Sequence, residues 1–312
     1  MKKYILPLLI LAGLAAASCE QEMLNEESVI KDSTVEMNDF DYWLEANFLK
    51  PYNIEFKYRY TLDESEKGYW TVPADIDASI IYAHLVKYLC VDTYDEIAGI
   101  DFTRAYFPKM FFLIGTWEFK NNGSIVLGTA EAGKKIMLSG VNELPGVFAN
   151  YSGDELAEVL SHYYIKTIHH EFTHILNQTK SYPENFGTIT SNTYVGDACF
   201  DTDSYWLGRG YITAYAQSEH REDFAELLSE YITHDAAWWE EQLKTAHDQT
   251  AEVRKTSPDA PYGDETITSK MEIVAAYMQD SWNINVDNLR DILNRRFKDV
   301  TLDRVDLNSV EL

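Results

Sequence analysis

Within a chain of 312 residues, His170-Glu171-Phe172-Thr173-His174 gathers side chains able to hold a metal ion and use it. On a helix, two histidines four apart stand one turn from each other on the same face, so both imidazoles reach a single ion. Neutral imidazole is a common ligand of Zn2+. Glu171 is rotated about 100° from His170, beside such an ion rather than on it, where its carboxylate can serve as general base for a water. Catalytic zinc usually has three protein ligands, so one more is needed. Downstream, Glu222-Asp223-Phe224-Ala225-Glu226 sets two carboxylates one turn apart. His220 and Asp203 are the competing candidates for the third ligand. Tyr215, seven residues before Glu222, could donate a hydrogen bond to a tetrahedral oxyanion. His162 and His169 flank the motif without a ligand pattern and read as structural or exposed.

The elements that must position these residues are legible in part. Ser152-Gly153-Asp154-Glu155 reads as a capping box opening a helix that runs to about Gln178. Ile165, Ile168, Phe172 and Ile175 form its apolar stripe. His170 lies about 200° from both Ile168 and Phe172, so the imidazoles point away from the packed side. Phe224, Leu227, Leu228 and Tyr231 mark the apolar side of the second helix. Ahead of both, Asn53 to Thr61 alternates as a strand, and Asp77 to Leu89 has helical spacing. Met110 to Gly115, Ser124 to Thr129 and Lys135 to Gly140 are short apolar or β-branched runs. Asn121-Asn122-Gly123 between the first two suggests a hairpin. Residues 181–213 are irregular, and helices over about 236–255, 264–282 and 286–298 read as scaffold. The expected fold class is α+β, with a mostly antiparallel N-terminal sheet with helices, then the active-site helix, then a helical C-terminal part.

Composition sets outer bounds. The formal net charge is −25 and 13% of residues are aromatic. That aromatic content excludes a disordered acidic tail as the whole chain. The acidity argues against nucleic-acid binding, and against a basic patch holding the protein to anionic lipid. Met1-Lys2-Lys3 followed by the apolar run Tyr4 to Ala17 reads as a secretory signal, too short to span a bilayer. Its end, Ala16-Ala17-Ser18-Cys19, resembles the lipobox of bacterial lipoproteins, in which Cys19 is acylated. Removal of residues 1–18 leaves 24 basic and 51 acidic residues, a mature charge of −27. The organisation expected is a signal peptide over 1–18, a lipidated acidic tether over 19–38 and one domain over 39–312. Cys90 and Cys199 permit one disulfide or two buried thiols.

Taken together, the lipobox, Pro51-Tyr52-Asn53-Ile54-Glu55 with the aromatic strand after it, the histidine helix and Tyr215-Ala216 ahead of Glu222-Asp223-Phe224-Ala225-Glu226 resemble the zinc-binding metallopeptidase lipoproteins of Bacteroidetes. The resemblance implies a zincin-like fold and a Zn2+-dependent peptidase acting on a peptide or protein substrate. The step from Glu222 to Glu226 resembles the second zinc-site helix of gluzincins. Carried over, Glu222 is the third ligand and Glu226 orients His170 or His174. The metzincin pattern is absent, because Asn177 and Lys180 stand where it needs Gly and His. In zincins an antiparallel edge strand pairs with extended substrate, for which Ser124–Thr129 or Lys135–Gly140 would serve. The resemblance also implies an outer-membrane lipoprotein facing periplasm or surface. Its membrane contact would be through the lipid alone, with outer-membrane nutrient-uptake proteins as possible neighbours. The alternative is a surface peptide- or glycan-binding lipoprotein with a non-catalytic metal site, and the intact Glu171 counts against it.

Overall fold

The computed structural model describes residues 36–61, 70–119, 125–126, 128–131 and 135–312. The signal, Cys19 and nearly all of the tether lie outside the described residues, as does Asn121-Asn122-Gly123. Helix α1 (Asp39–Leu44) opens on a reciprocal capping box between Asn38 and Asp41. A π turn (Glu45–Leu49) and one further turn (Lys50–Tyr52) lead to strand β1 (Glu55–Lys57). Helices α2 (Ile76–Leu85), α3 (Asp92–Ala98) and α4 (Ile100–Tyr106) follow. Next come strands β2 (Met110–Leu113), β3 (Glu118–Phe119), β4 (Ile125–Val126), β5 (Gly128–Glu131) and β6 (Lys135–Leu138).

The main sheet has the order β1-β2-β6-β5. The mostly antiparallel sheet expected from the sequence is corrected here. Strands β1 and β2 run parallel, as do β2 and β6, and only β5 opposes its neighbour. The reason lies in the connections: α2, α3 and α4 carry the chain across between β1 and β2, and a helical crossover delivers the next strand in the same direction. The inner strands are buried on both faces. Phe111, Leu113, Ile136 and Leu138 join the main core, whereas Phe112, Ile114 and Met137 form a small cluster with Tyr60. The expected hairpin is also displaced. Met110–Leu113 enters the parallel sheet, and the antiparallel pair described in this part of the chain is β3 with β4.

Helices dominate the remainder: α5 (Leu144–Asn150), α6 (Gly153–Leu160), α7 (Lys166–Thr179), α8 (Asn185–Ile189), α9 (His220–Thr233), α10 (Ala236–Val253), α11 (Gly263–Trp282) and α12 (Val286–Thr301). A π turn over Ser161–Ile165 joins α6 to α7, so residues 153–179 form one helical rod. Such turns are frequent at functional sites. Ser152 is the N-cap residue as expected, but its hydroxyl makes no capping bond. Phe172 fixes the roll of α7. Its ring meets Tyr94, Phe107 and Phe102 edge-on, with centroids at 4.7, 4.9 and 6.0 Å. Truncating such a side chain to alanine costs about 3–5 kcal/mol. Helix α9 packs against α7 on one side and against α11 and α12 on others. Cys90 and Cys199 are both buried and share no disulfide. Among the described residues no helix is long and apolar enough to cross a membrane.

Candidate metal centre

With Phe172 and Ile168 buried in the core, the opposite side of α7 presents His170 and His174 toward α9. Three ligand atoms converge there. His170 Nε2 lies 3.0 Å from Glu222 Oε2, His174 Nε2 lies 3.2 Å from the same oxygen, and the two nitrogens are 3.1 Å apart. Among the described residues this is the one set of three potential ligands gathered closely enough for a metal ion. Ligands held at zinc's usual bond lengths around a tetrahedron are separated by roughly 3.3 Å. The triangle therefore fits the ion, and two imidazoles with one carboxylate are a catalytic donor set with a position left for water or substrate.

The surroundings hold these ligands in place. Glu226 Oε1 approaches His170 Nδ1 at 2.8 Å, a close contact that is bent away from a linear hydrogen bond. The choice between the two histidines that the sequence left open thus falls to His170. Glu226 Oε2 accepts from Lys166 Nζ at 3.1 Å and from Thr213 Oγ1 at 2.7 Å. The Thr213 hydroxyl also accepts from the backbone N–H of Ala216, which shapes the turn carrying Tyr215. Lys166 donates in addition to Glu230 Oε1 at 2.8 Å. Neither Lys166, Thr213 nor Glu230 was singled out in the sequence. The signal was their register, because Lys166 stands one turn before His170 and Glu230 one turn after Glu226.

Tyr215 is half-buried, its ring 6.1 Å from that of His170 and close enough to Glu222 to feel that carboxylate's charge. It stacks on the exposed Phe200 at 6.0 Å and 8°. The competing ligands are elsewhere. Asp203 is held by the Arg209 guanidinium through both oxygens at 2.7 Å, and His220 Nδ1 meets the Tyr182 hydroxyl at 2.5 Å. His162 is exposed. His169 is wholly buried, with Nδ1 3.1 Å from the Tyr94 hydroxyl, and burial pushes its pKa down to about 3.

The site is short of positive charge. Among the described residues, Lys166 is the only lysine or arginine in contact with Glu171, Glu222, Glu226 or Glu230. Burial pulls His170 down, but the Glu222 and Glu226 carboxylates facing it outweigh that and push the imidazole up to about 10. Burial raises Glu222, yet His170 and His174 hold it well below the usual carboxylate range. Glu226 is likewise held low against burial, by Lys166 and His170. Glu171, with no such donors, is raised by burial despite both histidines. Tyr215 is raised by burial and then by the charge of Glu222, which keeps its hydroxyl a donor. Two imidazoles and an ionised carboxylate gathered beside an acidic surplus offer their ligand atoms to a dication.

Comparison with known proteins agrees with this geometry. A family model described as "Putative zinc-binding metallo-peptidase" matches residues 33–287. A crystal structure of a "putative zinc-binding metallo-peptidase" from Bacteroides caccae ATCC 43185 is 33% identical, with a TM-score of 0.70. The match covers 91% of this chain and all of that one. No curated protein matches. Both descriptions name zinc, in agreement with the Zn2+ read from the histidine helix.

Proposed function

The chain belongs to this zinc-binding metallo-peptidase family, and from that premise we propose that it hydrolyses peptide bonds with Zn2+ held by His170, His174 and Glu222. The observation that carries the reading is the triangle of ligand atoms with Glu171 and Tyr215 beside it. When bound, zinc supplies a Lewis acid and brings the pKa of a water to near ~7. Glu171 takes that water's proton on its carboxylate and passes it to the leaving amine, a task suited by its raised pKa. Tyr215, protonated across the neutral range, donates to the oxyanion. Glu226 holds the His170 ring from behind, as carboxylate partners of ligand histidines do.

Substrate would lie along an edge of the sheet. Among the described residues the two edges are β1 and β5, and β5 runs antiparallel to β6 and packs against α7. Of the two segments considered from the sequence, 124–129 overlaps it, whereas 135–140 contains β6, an inner strand. An extended peptide can add to such an edge through main-chain hydrogen bonds. Anchoring by lipid at Cys19 on the outer membrane, near nutrient-uptake proteins, belongs to the same proposal and stands on the lipobox sequence alone. Detergent partitioning of the mature protein tests it.

Glu171→Gln is the test of the chemistry. Chelator-sensitive hydrolysis of a peptide library should fall by roughly 10²–10⁴-fold, while metal analysis still finds about one zinc per chain. Cleavage that persists in this variant removes Glu171 from the mechanism. Peptide binding with no cleavage by the wild type supports the binding-protein alternative instead.

A further inference from the structure

A glutamate placed behind a ligand histidine helps only if its carboxylate is itself fixed, and the terminal torsion of a glutamate is soft. In this protein the far oxygen of Glu226 takes two donors from two different elements. Lys166 reaches it from α7 and Thr213 from the segment ahead of α9. With Oε2 engaged twice, the carboxylate plane is set and Oε1 stands 2.8 Å from His170 Nδ1. Lys166 also spans to Glu230, one turn along α9, so its ammonium sits between two carboxylates. All three side chains are largely removed from solvent, with 12% of Lys166, 5% of Glu226 and 8% of Glu230 exposed.

Packing alone does not call for this arrangement. Apolar residues join buried helices as well or better, since taking charges out of water carries a desolvation penalty of several kcal/mol per ion. What the cation supplies is a fixed acceptor. With Lys166 and Thr213 donating to Oε2, the oxygen left facing His170 is an acceptor. The histidine nitrogen facing it is then the protonated one, and the other nitrogen keeps its lone pair for metal. Lys166 precedes His170 by one turn on the same helix, so clamp and ligand move as one body.

We propose that Lys166 and Thr213 are positioning residues of the metal centre, holding one oxygen of Glu226 so that the other fixes His170 as the Nδ1–H tautomer with Nε2 free for zinc. The inference rests on the reading that His170 is a zinc ligand. It assigns Lys166 and Thr213 no contact with substrate.

The test uses the mature full-length protein and zinc itself as probe, with affinity read by competition against a chromophoric chelator. Thr213→Val removes one donor and should weaken zinc binding at the lower end of about 10–100-fold. Lys166→Met strands two buried carboxylates, so it is paired with Glu230→Gln. The double variant should regain thermal stability relative to Lys166→Met, yet bind zinc weaker across the upper part of that range. The ¹⁵N spectrum of His170 in the zinc-free protein at high pH should show the Nδ1–H form in the wild type and a tautomer mixture in the double variant. Zinc affinity and tautomer equal to wild type in both Thr213→Val and the double variant overturn the inference and leave Lys166 a helix tie. A wild-type chain that binds no zinc overturns the underlying ligand reading instead.

Discussion

Glu222 and Asp223 are neighbours on α9, and their carboxylates meet opposite arrangements of positive charge. Asp223 Oδ2 lies 2.6 Å from Lys270 Nζ and accepts from the Tyr194 hydroxyl at 2.8 Å. Lys270 also donates to the Gly210 carbonyl and sits 4.1 Å over the Tyr211 ring. Both charged side chains are 1% exposed. Burial raises the aspartate and lowers the lysine, and the contact between them restrains each shift. That face of α9 is matched one to one. On the other face Glu222 and Glu226 look at two histidines and at Lys166, which is shared with Glu230. The difference separates a closed ion pair that ties α9 to α11 from an acidic surplus that favours a cation from outside the chain.

The largest effect expected from this contrast is on stability. Lys270→Met leaves Asp223 buried with no counter-charge and should destabilise the fold by about 3–5 kcal/mol in urea unfolding. Glu222→Gln, on the surplus side, should lose much less. Its signature is instead the loss of linkage to zinc. At free zinc of 100 Kd the wild type should gain about 2.7 kcal/mol, and the variant nearly nothing. Equal destabilisation by both changes, with the zinc increment intact in Glu222→Gln, would make the two carboxylates equivalent and remove Glu222 from the ligand set.

The same contrast explains what could be read from the sequence. A local period reports on one helix. Preferring Glu222 over His220 and Asp203 rested on the resemblance to gluzincins, whereas the period by itself pairs His170 with His174 and Glu222 with Glu226, since both partners of each pair lie within one turn. The three C-terminal helices followed for the same reason, with observed bounds Ala236–Val253, Gly263–Trp282 and Val286–Thr301. Strand direction is not local. The unbroken run Met110 to Ile114 is the mark of a strand buried on both faces, as parallel strands are, and a hairpin partner would have alternated. Nothing local marks Lys166, because its partners are 60 and 64 residues away. The cap at Ser152 failed although its motif is complete, and Gly153, at φ +57, takes a left-handed conformation right after it.

The acidic surplus extends to the C-terminal end of α9, where a smaller prediction tests its reach. His234 stacks on Trp238 at 3.9 Å and 14°, with Nδ1 3.3 Å from Glu230 Oε2 and Nε2 3.3 Å from Glu158 Oε2. Lys166 beyond Glu230 and His162 beside Glu158 are the other charged or titratable groups near it. Burial lowers the imidazole, but the hydrogen bond to Glu158 and the charge of Glu230 prevail, so its pKa is raised above 6.5. A raised pKa means that the folded state binds the proton more tightly than the unfolded chain does. The stabilisation is therefore complete below the unfolded value and disappears as pH rises through the folded one. The difference in urea midpoint between wild type and His234→Gln should be largest below the unfolded value of about 6.5 and shrink as pH rises above it. A difference independent of pH would reduce His234 to an uncharged ring stacked on Trp238. The carboxylate surplus would then end at Lys166, and Glu230 would be matched by that lysine as fully as Asp223 is by Lys270.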